Sequence, residues 1–243
     1  MTAKLSVNIN KFATLRNSRG GNNPDILKAA VDIQHWGAEG ITVHPRPDER
    51  HIRYADARDL RALVHTEYNI EGYPDEKFLQ LIEESKPDQV TLVPDPPGVL
   101  TSNAGWNTID NQLFLTDVVA RLKAMGCRVS IFLDPNPAMV QGAKDCGADR
   151  VELYTESYAT QFHHNKEAAI APFIETANEI HAAGLGINAG HDLDLHNLHF
   201  FASAIPQLLE VSIGHALVCD AIYLGLQNTV QMYKARLQPT FGK

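Results

Sequence analysis

Short apolar, β-branched runs of four to six residues recur along the chain, set between helical stretches and often just behind a glycine. One phrase repeats: Gly37 before ITVH (41–44), Gly126 before VSIFLD (129–134), Gly147 before VELYT (151–155) and Gly184 before INAGH (187–191). A glycine just past a helix supplies a left-handed cap, and a short apolar run after it fits a strand buried in a parallel sheet. LSVNI (5–9), YNIEG (68–72), QVTLV (89–93) and EVSIG (210–214) read the same way, which makes eight candidate strands. Helical patterns fall at 24–36, 57–66, 74–85, 108–125, 136–146, 166–183, 193–203 and 215–237. Pro24 suits a first helical position and Asp56 a cap. Eight strand–helix units of roughly thirty residues each predict an α/β fold, a single (β/α)8 TIM barrel. The alternative, an open doubly wound sheet, lacks its usual signatures, since no GxGxxG follows the first strand and no Walker P-loop occurs.

Two segments exceed a minimal barrel. PDPPGVLTSNAGWN (94–107) is long for a βα turn and rich in Pro, Gly and Asn, the composition of an active-site lid. ESYATQFHHN (156–165) is a second insertion ahead of its helix. Neither marks a boundary, so 1–243 is expected to form one domain.

Composition narrows the class. With 44% hydrophobic and 21% charged residues, the chain reads as ordinary globular protein. It has no apolar run near the roughly 18 residues of a spanning helix. MTAKLSVNIN lacks a signal-peptide core, so a cytoplasmic location and no membrane partner are expected. Three cysteines without a CxxC argue against a disulfide framework or a thiolate zinc site. A net charge of −8 disfavours nucleic acid as a partner. The charge is uneven: residues 1–53 hold 8 Lys/Arg against 5 Asp/Glu, and residues 54–243 hold 13 against 24. An acidic chain with a basic first quarter fits a small anionic ligand.

Barrel enzymes build their sites from the C-terminal ends of the strands. Here those ends carry Asn8, Asn10 and Lys11 with Arg16 and Arg19 beyond; His44 with Arg46 and His51; Glu71; Thr101 and Ser102 in the long loop; Asp134; Glu152 and Tyr154; Asn188 and His191; and Gly214-His215. Two histidines and two glutamates converging on one mouth can exchange protons, and crowding moves their proton affinities towards neutrality. Arg19, Arg46 and His51 can reach one anion, while Gly214-His215 opens a helix whose N–H groups suit a second phosphate. The pattern points to an enzyme acting on phosphorylated small molecules.

At these residues the sequence resembles the pyridoxine 5′-phosphate synthase family. The resemblance rests on VNINKFATLRNSRG (7–20), GITVHPRPDERHI (40–52), NIEGY (69–73), LVP (92–94), VELYT (151–155), NAGHDL (188–193) and SIGHA (212–216), which span nearly the whole chain. It implies a (β/α)8 barrel with extra helices, assembled as a homo-octamer. It also implies condensation of 3-amino-2-oxopropyl phosphate with 1-deoxy-D-xylulose 5-phosphate, closing the pyridine ring of vitamin B6 without metal or organic cofactor. By the same resemblance His44 and Glu71 look like proton acceptors and His191 like the proton donor, with Glu152 as a further acidic group. Asn8, Arg19 and Gly214-His215 would hold the amino-ketone phosphate, and Arg46, His51 and Thr101 the deoxyxylulose phosphate.

The chain departs from the family pattern twice. Asn10-Lys11 replaces the usual Asp-His, keeping an acceptor and a donor for substrate, and Asp192 replaces the usual Gly. A carboxylate at 192 would meet a phosphate unless it caps the following helix, which is the expected use of Asp192-Leu-Asp-Leu. Other chemistries fit the same rim. A class I aldolase would use Lys11, the lysine near a strand end. A metal-dependent sugar-phosphate isomerase would use His44, Glu71, Glu152 and His191 as ligands. A binding protein that kept the barrel without turnover would use the anion sites alone.

Overall fold

The computed structural model describes residues 2–95 and 104–238. Eight parallel strands close into a barrel in chain order: β1 (Lys4–Asn8), β2 (Gly40–Val43), β3 (Glu67–Gly72), β4 (Gln89–Leu92), β5 (Arg128–Leu133), β6 (Arg150–Tyr154), β7 (Gly186–His191) and β8 (Leu208–Ile213), which pairs back onto β1. The helices around it are α1 (Asn10–Asn17), α2 (Ile26–His35), α3 (Tyr54–Leu60), α4 (Glu76–Ser85), α5 (Gln112–Ala124), α6 (Val140–Asp145), α7 (Glu156–Phe162), α8 (Lys166–Ala182), α9 (Leu198–Ala204), α10 (His215–Leu224) and α11 (Leu226–Leu237). This is the (β/α)8 barrel that the repeating pattern predicts. The extra helices are α1, α7 and the division of the last helical stretch into α10 and α11. Gly225, at φ +79°, makes that division.

The glycine caps hold. Gly37, Gly126, Gly147 and Gly184 all adopt positive φ between +74° and +103°. Most helix starts are displaced by two to five residues from expectation, and three of the displacements have a visible local reason. Asp25, one residue past Pro24, caps α2 by accepting from the Lys28 N–H at 3.1 Å. Asp56 is no cap: α3 starts two residues before it, and its carboxylate accepts from the Arg53 N–H at 2.8 Å from within the first turn. The stretch 193–197 is a turn, because Asp194 Oδ1 accepts from the N–H groups of both His196 and Asn197, and α9 begins only at Leu198.

The strands alternate more strongly than their apolar runs suggest. Leu5, Val7, Ile41, Val43, Ile70, Val90, Val129, Ile131, Val151, Leu153, Val211 and Ile213 are all fully buried in the apolar core. The residues between them fill the lumen, and they are polar almost throughout. Barrel interiors are usually layered with branched apolar side chains, whereas here hydrogen bonds run across the lumen. Ser6 Oγ lies 2.8 Å from Thr42 Oγ1, and Asn69 Nδ2 donates to that Thr42 oxygen at 3.3 Å. Thr91 Oγ1 then reaches Asn69 Oδ1 at 3.2 Å and Glu152 Oε2 at 3.3 Å. A period of two in a strand sends alternate side chains to opposite faces, so this polar lumen is written directly into the strands.

Candidate active site

The barrel mouth gathers groups from most of the strands. Glu71, at the end of β3, is fully buried, and its Oε2 is shared by three neighbours. His44 Nδ1 lies 3.9 Å away, His191 Nε2 4.0 Å and Asn8 Nδ2 3.5 Å. On the other side of the His191 ring, Nδ1 is 3.9 Å from Glu152 Oε1. Most of these separations are just beyond hydrogen-bond reach. Glu71 Oε1, Glu152 Oε1 and His191 Nδ1 are buried with no hydrogen-bond partner. Buried polar atoms are nearly always satisfied, so three orphans on neighbouring side chains mark a place where another molecule could supply the missing partners.

Burial and charge set the proton affinities. Burial first, and then the neighbouring carboxylates of Glu152 and Asp95, push Glu71 well above the ordinary carboxyl range. Burial raises Glu152 to about 7, against the opposing hydrogen bond from Thr91. Burial, then the Arg46 charge, holds His44 well below the ordinary imidazole range. Burial brings His191 and His51 down to about 4, with Arg46 adding to both and Asp95 opposing at His191. Near pH 7 the imidazoles are therefore neutral and Glu152 is about half ionised, while the same burial favours the neutral form of Glu71. The constellation is tuned to move protons without carrying much net charge.

Local structure explains the placement. Asn10 Oδ1 accepts from the His44 N–H at 2.9 Å, and the Asn10 N–H donates to Asn8 Oδ1 at 3.1 Å, so the ends of β1 and β2 are tied together. Gly190 is required because a Cβ there would collide with Glu152 Oε1. Gly214 is similarly confined, since a Cβ would lie 2.9 Å from the Asn8 carbonyl. The imidazole of His191 stands edge-on to Phe132 at 5.0 Å and to Tyr154 at 6.0 Å. His191 itself has φ +95°, a conformation that costs a non-glycine residue about 1–3 kcal/mol.

The anion-binding candidates divide. Arg46 is buried and donates to Asp95 Oδ2 at 2.8 Å. His51 is 6.3 Å from His44, ring to ring, and its Nδ1 accepts from the Ile52 N–H. Gly214-His215 begins α10 with an open N-terminus. Lys11 is exposed on α1, near enough for its charge to act on His51 and His191. Arg19 is exposed beyond the end of α1. The buried arginine of that helix is Arg16, in a bidentate pair with Asp56 at 2.7 and 2.8 Å. Thr101 and Ser102 lie outside the described residues, as does most of the 94–107 segment. Its far end is anchored by Trp106, whose Nε1 donates to the Leu92 carbonyl at 3.0 Å.

Two readings change. Asp192 does not cap α9; partial desolvation of its carboxyl group and then the charge of Glu156 raise its proton affinity, and its N–H donates to Thr155 Oγ1. Asp95, a buried carboxylate on the Arg46 guanidinium, escaped the sequence analysis because it lies past the strand in a stretch read only as a loop. Among the described residues, no group of three or more His, Cys, Asp or Glu side chains is arranged to hold a metal ion.

A closed (β/α)8 barrel whose mouth holds neutral imidazoles between proton-hungry carboxyl groups, with a buried arginine beside them, defines an acid/base enzyme. The family described as pyridoxal phosphate biosynthesis protein PdxJ matches residues 5–239, and this chain belongs to it. Pyridoxine 5′-phosphate synthase of Cytophaga hutchinsonii is 63% identical over 235 residues, covering 97% of this chain and 99% of the relative. That of Flavobacterium johnsoniae is 60% identical with the same coverage. Among solved structures, thiamine phosphate pyrophosphorylase from Pyrococcus furiosus aligns with a TM-score of 0.64 at 12% identity, over 98% of this chain and 97% of that one. Phosphoribosylanthranilate isomerase from Thermotoga maritima aligns at 0.61 and 12%, over 97% and 98%. These last two share the fold.

Proposed function

We propose that this chain is a pyridoxine 5′-phosphate synthase that condenses 3-amino-2-oxopropyl phosphate with 1-deoxy-D-xylulose 5-phosphate, closing a pyridine ring and releasing phosphate and water. The observation that carries the reading is the Glu71 carboxyl group set between two imidazoles at 3.9 and 4.0 Å, with its other oxygen, Glu152 Oε1 and His191 Nδ1 left without partners. Amine addition to a ketone, loss of water from the adduct and the later eliminations each need a proton taken at one atom and delivered at another. A row of groups with matched proton affinities suits such a sequence better than one strong base.

In this reading His44 and Glu71 accept protons from substrate carbon and nitrogen. His191 is the donor, recharged by Glu71 or Glu152 across its two ring nitrogens. Glu152, oriented by Thr91, stabilises positive charge developing on the substrate nitrogen. Arg46, His51 and Thr101 hold one phosphate; Asn8, Arg19 and the α10 N-terminus at Gly214-His215 hold the other, with Asn10, Lys11 and Asp192 lining the rim. A phosphate on Arg46 also offsets the charge that depresses His44 and His191, so substrate binding brings both imidazoles closer to neutral titration.

The assembly is a homo-octamer acting in the cytoplasm. Supporting it are the exposed Ile222, Tyr223 and Leu224 of α10 and Met232 of α11, which flank a hollow lined by Leu224, Asn228, Gln231, Met232 and Ala235. Sedimentation at micromolar protein tests the assembly: a monomer would end it. Supplying both substrates to purified protein and following phosphate release and pyridoxine 5′-phosphate tests the reaction. Formation of neither by folded protein rejects it, and an adduct trapped on Lys11 by borohydride would favour the aldolase alternative.

A further inference from the structure

His191 occupies a conformation that most side chains avoid, and its imidazole must nevertheless hold a fixed place between two carboxyl groups. The residue that grips the backbone on both sides of it lies just past the neighbouring strand. Thr155 follows β6 and is fully buried. Its N–H donates to the Gly190 carbonyl at 3.2 Å, and its hydroxyl donates to the same oxygen at 2.7 Å. The hydroxyl oxygen also accepts from the Asp192 N–H at 3.1 Å. One side chain therefore grips the backbone immediately before and immediately after His191. Tyr154, next to Thr155, braces the imidazole edge-on, so the same strand end fixes both the backbone and the ring.

We propose that Thr155 is a positioning residue for the reaction: its hydroxyl clasps Gly190 and Asp192 and locks His191 in the left-handed conformation that aims the imidazole at Glu71 and Glu152. The inference rests on the reading of His191 as an acid/base group. Without the hydroxyl, the Asp192 N–H loses its acceptor and Gly190 keeps only the weaker of its two donors. Residue 191 then relaxes towards an ordinary φ, which rotates the ring away from both carboxyl groups. Displacement of a reacting group by about 1 Å is enough to slow turnover by about a hundredfold.

The test uses the full chain with T155V, T155S and H191Q. T155V keeps the shape and removes the clasp, so kcat is expected to fall about ten- to hundredfold while KM for both substrates stays within about threefold. T155S keeps the hydroxyl and is expected within about twofold of the parent. A second readout is the His191 imidazole titration by NMR, assigned by its loss in H191Q. It is expected near 4 in the parent, where burial holds it down, and well above that in T155V as the ring reaches water. Parent-like kcat and an unmoved titration in folded T155V would overturn the proposal, as would T155S matching T155V. If T155V does not fold, T155A serves as the hydroxyl-free variant under the same criteria. Parent-like turnover in H191Q would instead reject the role of His191 in the reaction, leaving the T155V titration shift to judge the clasp.

Discussion

The two ends of the barrel lumen use the same residue types to opposite ends. At the floor, Arg128 pairs with Glu67 and its Nε donates to Gln89 Oε1 at 2.9 Å, while Arg150 reaches Asn188 Oδ1 at 3.1 Å and Glu210 at 3.6 Å. At the mouth, imidazoles and carboxylates stop at 3.9–4.0 Å and leave acceptors orphaned. The floor pairs its guanidinium groups with neighbouring side chains, although Gln89 Nε2 and Asn188 Nδ2 stay without a partner. The mouth leaves its imidazoles and carboxyl groups short of contact, with hydrogen-bonding capacity unspent. Closed pairs make a structural plug, and open pairs make a site, although both come from inward-facing positions of the same strands.

The sharpest way to break that comparison is at the mouth. Glu71→Gln keeps the shape and removes the titratable proton, and turnover is expected to fall by about a thousandfold with the melting temperature little changed. Steady-state kinetics on the folded variant check it; parent rates would remove Glu71 from the reaction. At the floor the expectation reverses. Arg150→Met strips a cation from Glu67 and Glu210, and stability should drop by about 3 kcal/mol in urea unfolding, with kcat within about threefold of the parent. If the rate falls and stability does not, the division between plug and site fails.

Glu152 supplies a smaller, pH-dependent test. Its folded proton affinity, about 7, lies above the ordinary carboxyl value of 4.5. The protonated carboxyl therefore favours the folded state below pH 4.5, and that contribution is lost as pH rises to about 7. Glu152→Gln cannot ionise, so its gain in melting temperature over the parent should be larger at pH 8 than at pH 5. An equal gain at both would deny the burial effect. The smallest expected change is at Asp95→Asn, which leaves the Arg46 guanidinium with less negative charge beside it. Inorganic phosphate should bind about threefold more tightly, and the difference should shrink as salt is added. Calorimetry at two ionic strengths decides it.

Much of this arrangement is legible from sequence. The glycine phrases mark helix ends because only a residue without Cβ takes positive φ cheaply, and Gly37, Gly126, Gly147 and Gly184 all do. His44, Glu71, Glu152 and His191 were found because strand ends in a barrel converge whatever their separation along the chain. Helix α1 was missed because it buries only Ala13 and Arg16, too little to give an apolar stripe. Arg16 and Arg19 look alike in sequence; the Asp56 carboxylate that pairs with Arg16 separates them in the structure. Asp95 and Thr155 were missed for a related reason. Each acts through a partner far away in the chain, Arg46 and the backbone around His191.

By itself, then, the sequence determined the repeat and the barrel, because those depend on periodicity and on local backbone preference; the polar lumen was read only once the strands were in place. The sequence also brought His44, Glu71, Glu152 and His191 to the mouth, but not Asp95. Only the tertiary structure decided which of them are closed into pairs and which are left open. That choice turns on differences of about an ångström between side chains brought together by barrel closure, and such differences leave no mark on local pattern. The left-handed His191 and the threonine that grips it belong to the same category: neither residue is unusual until the other is beside it.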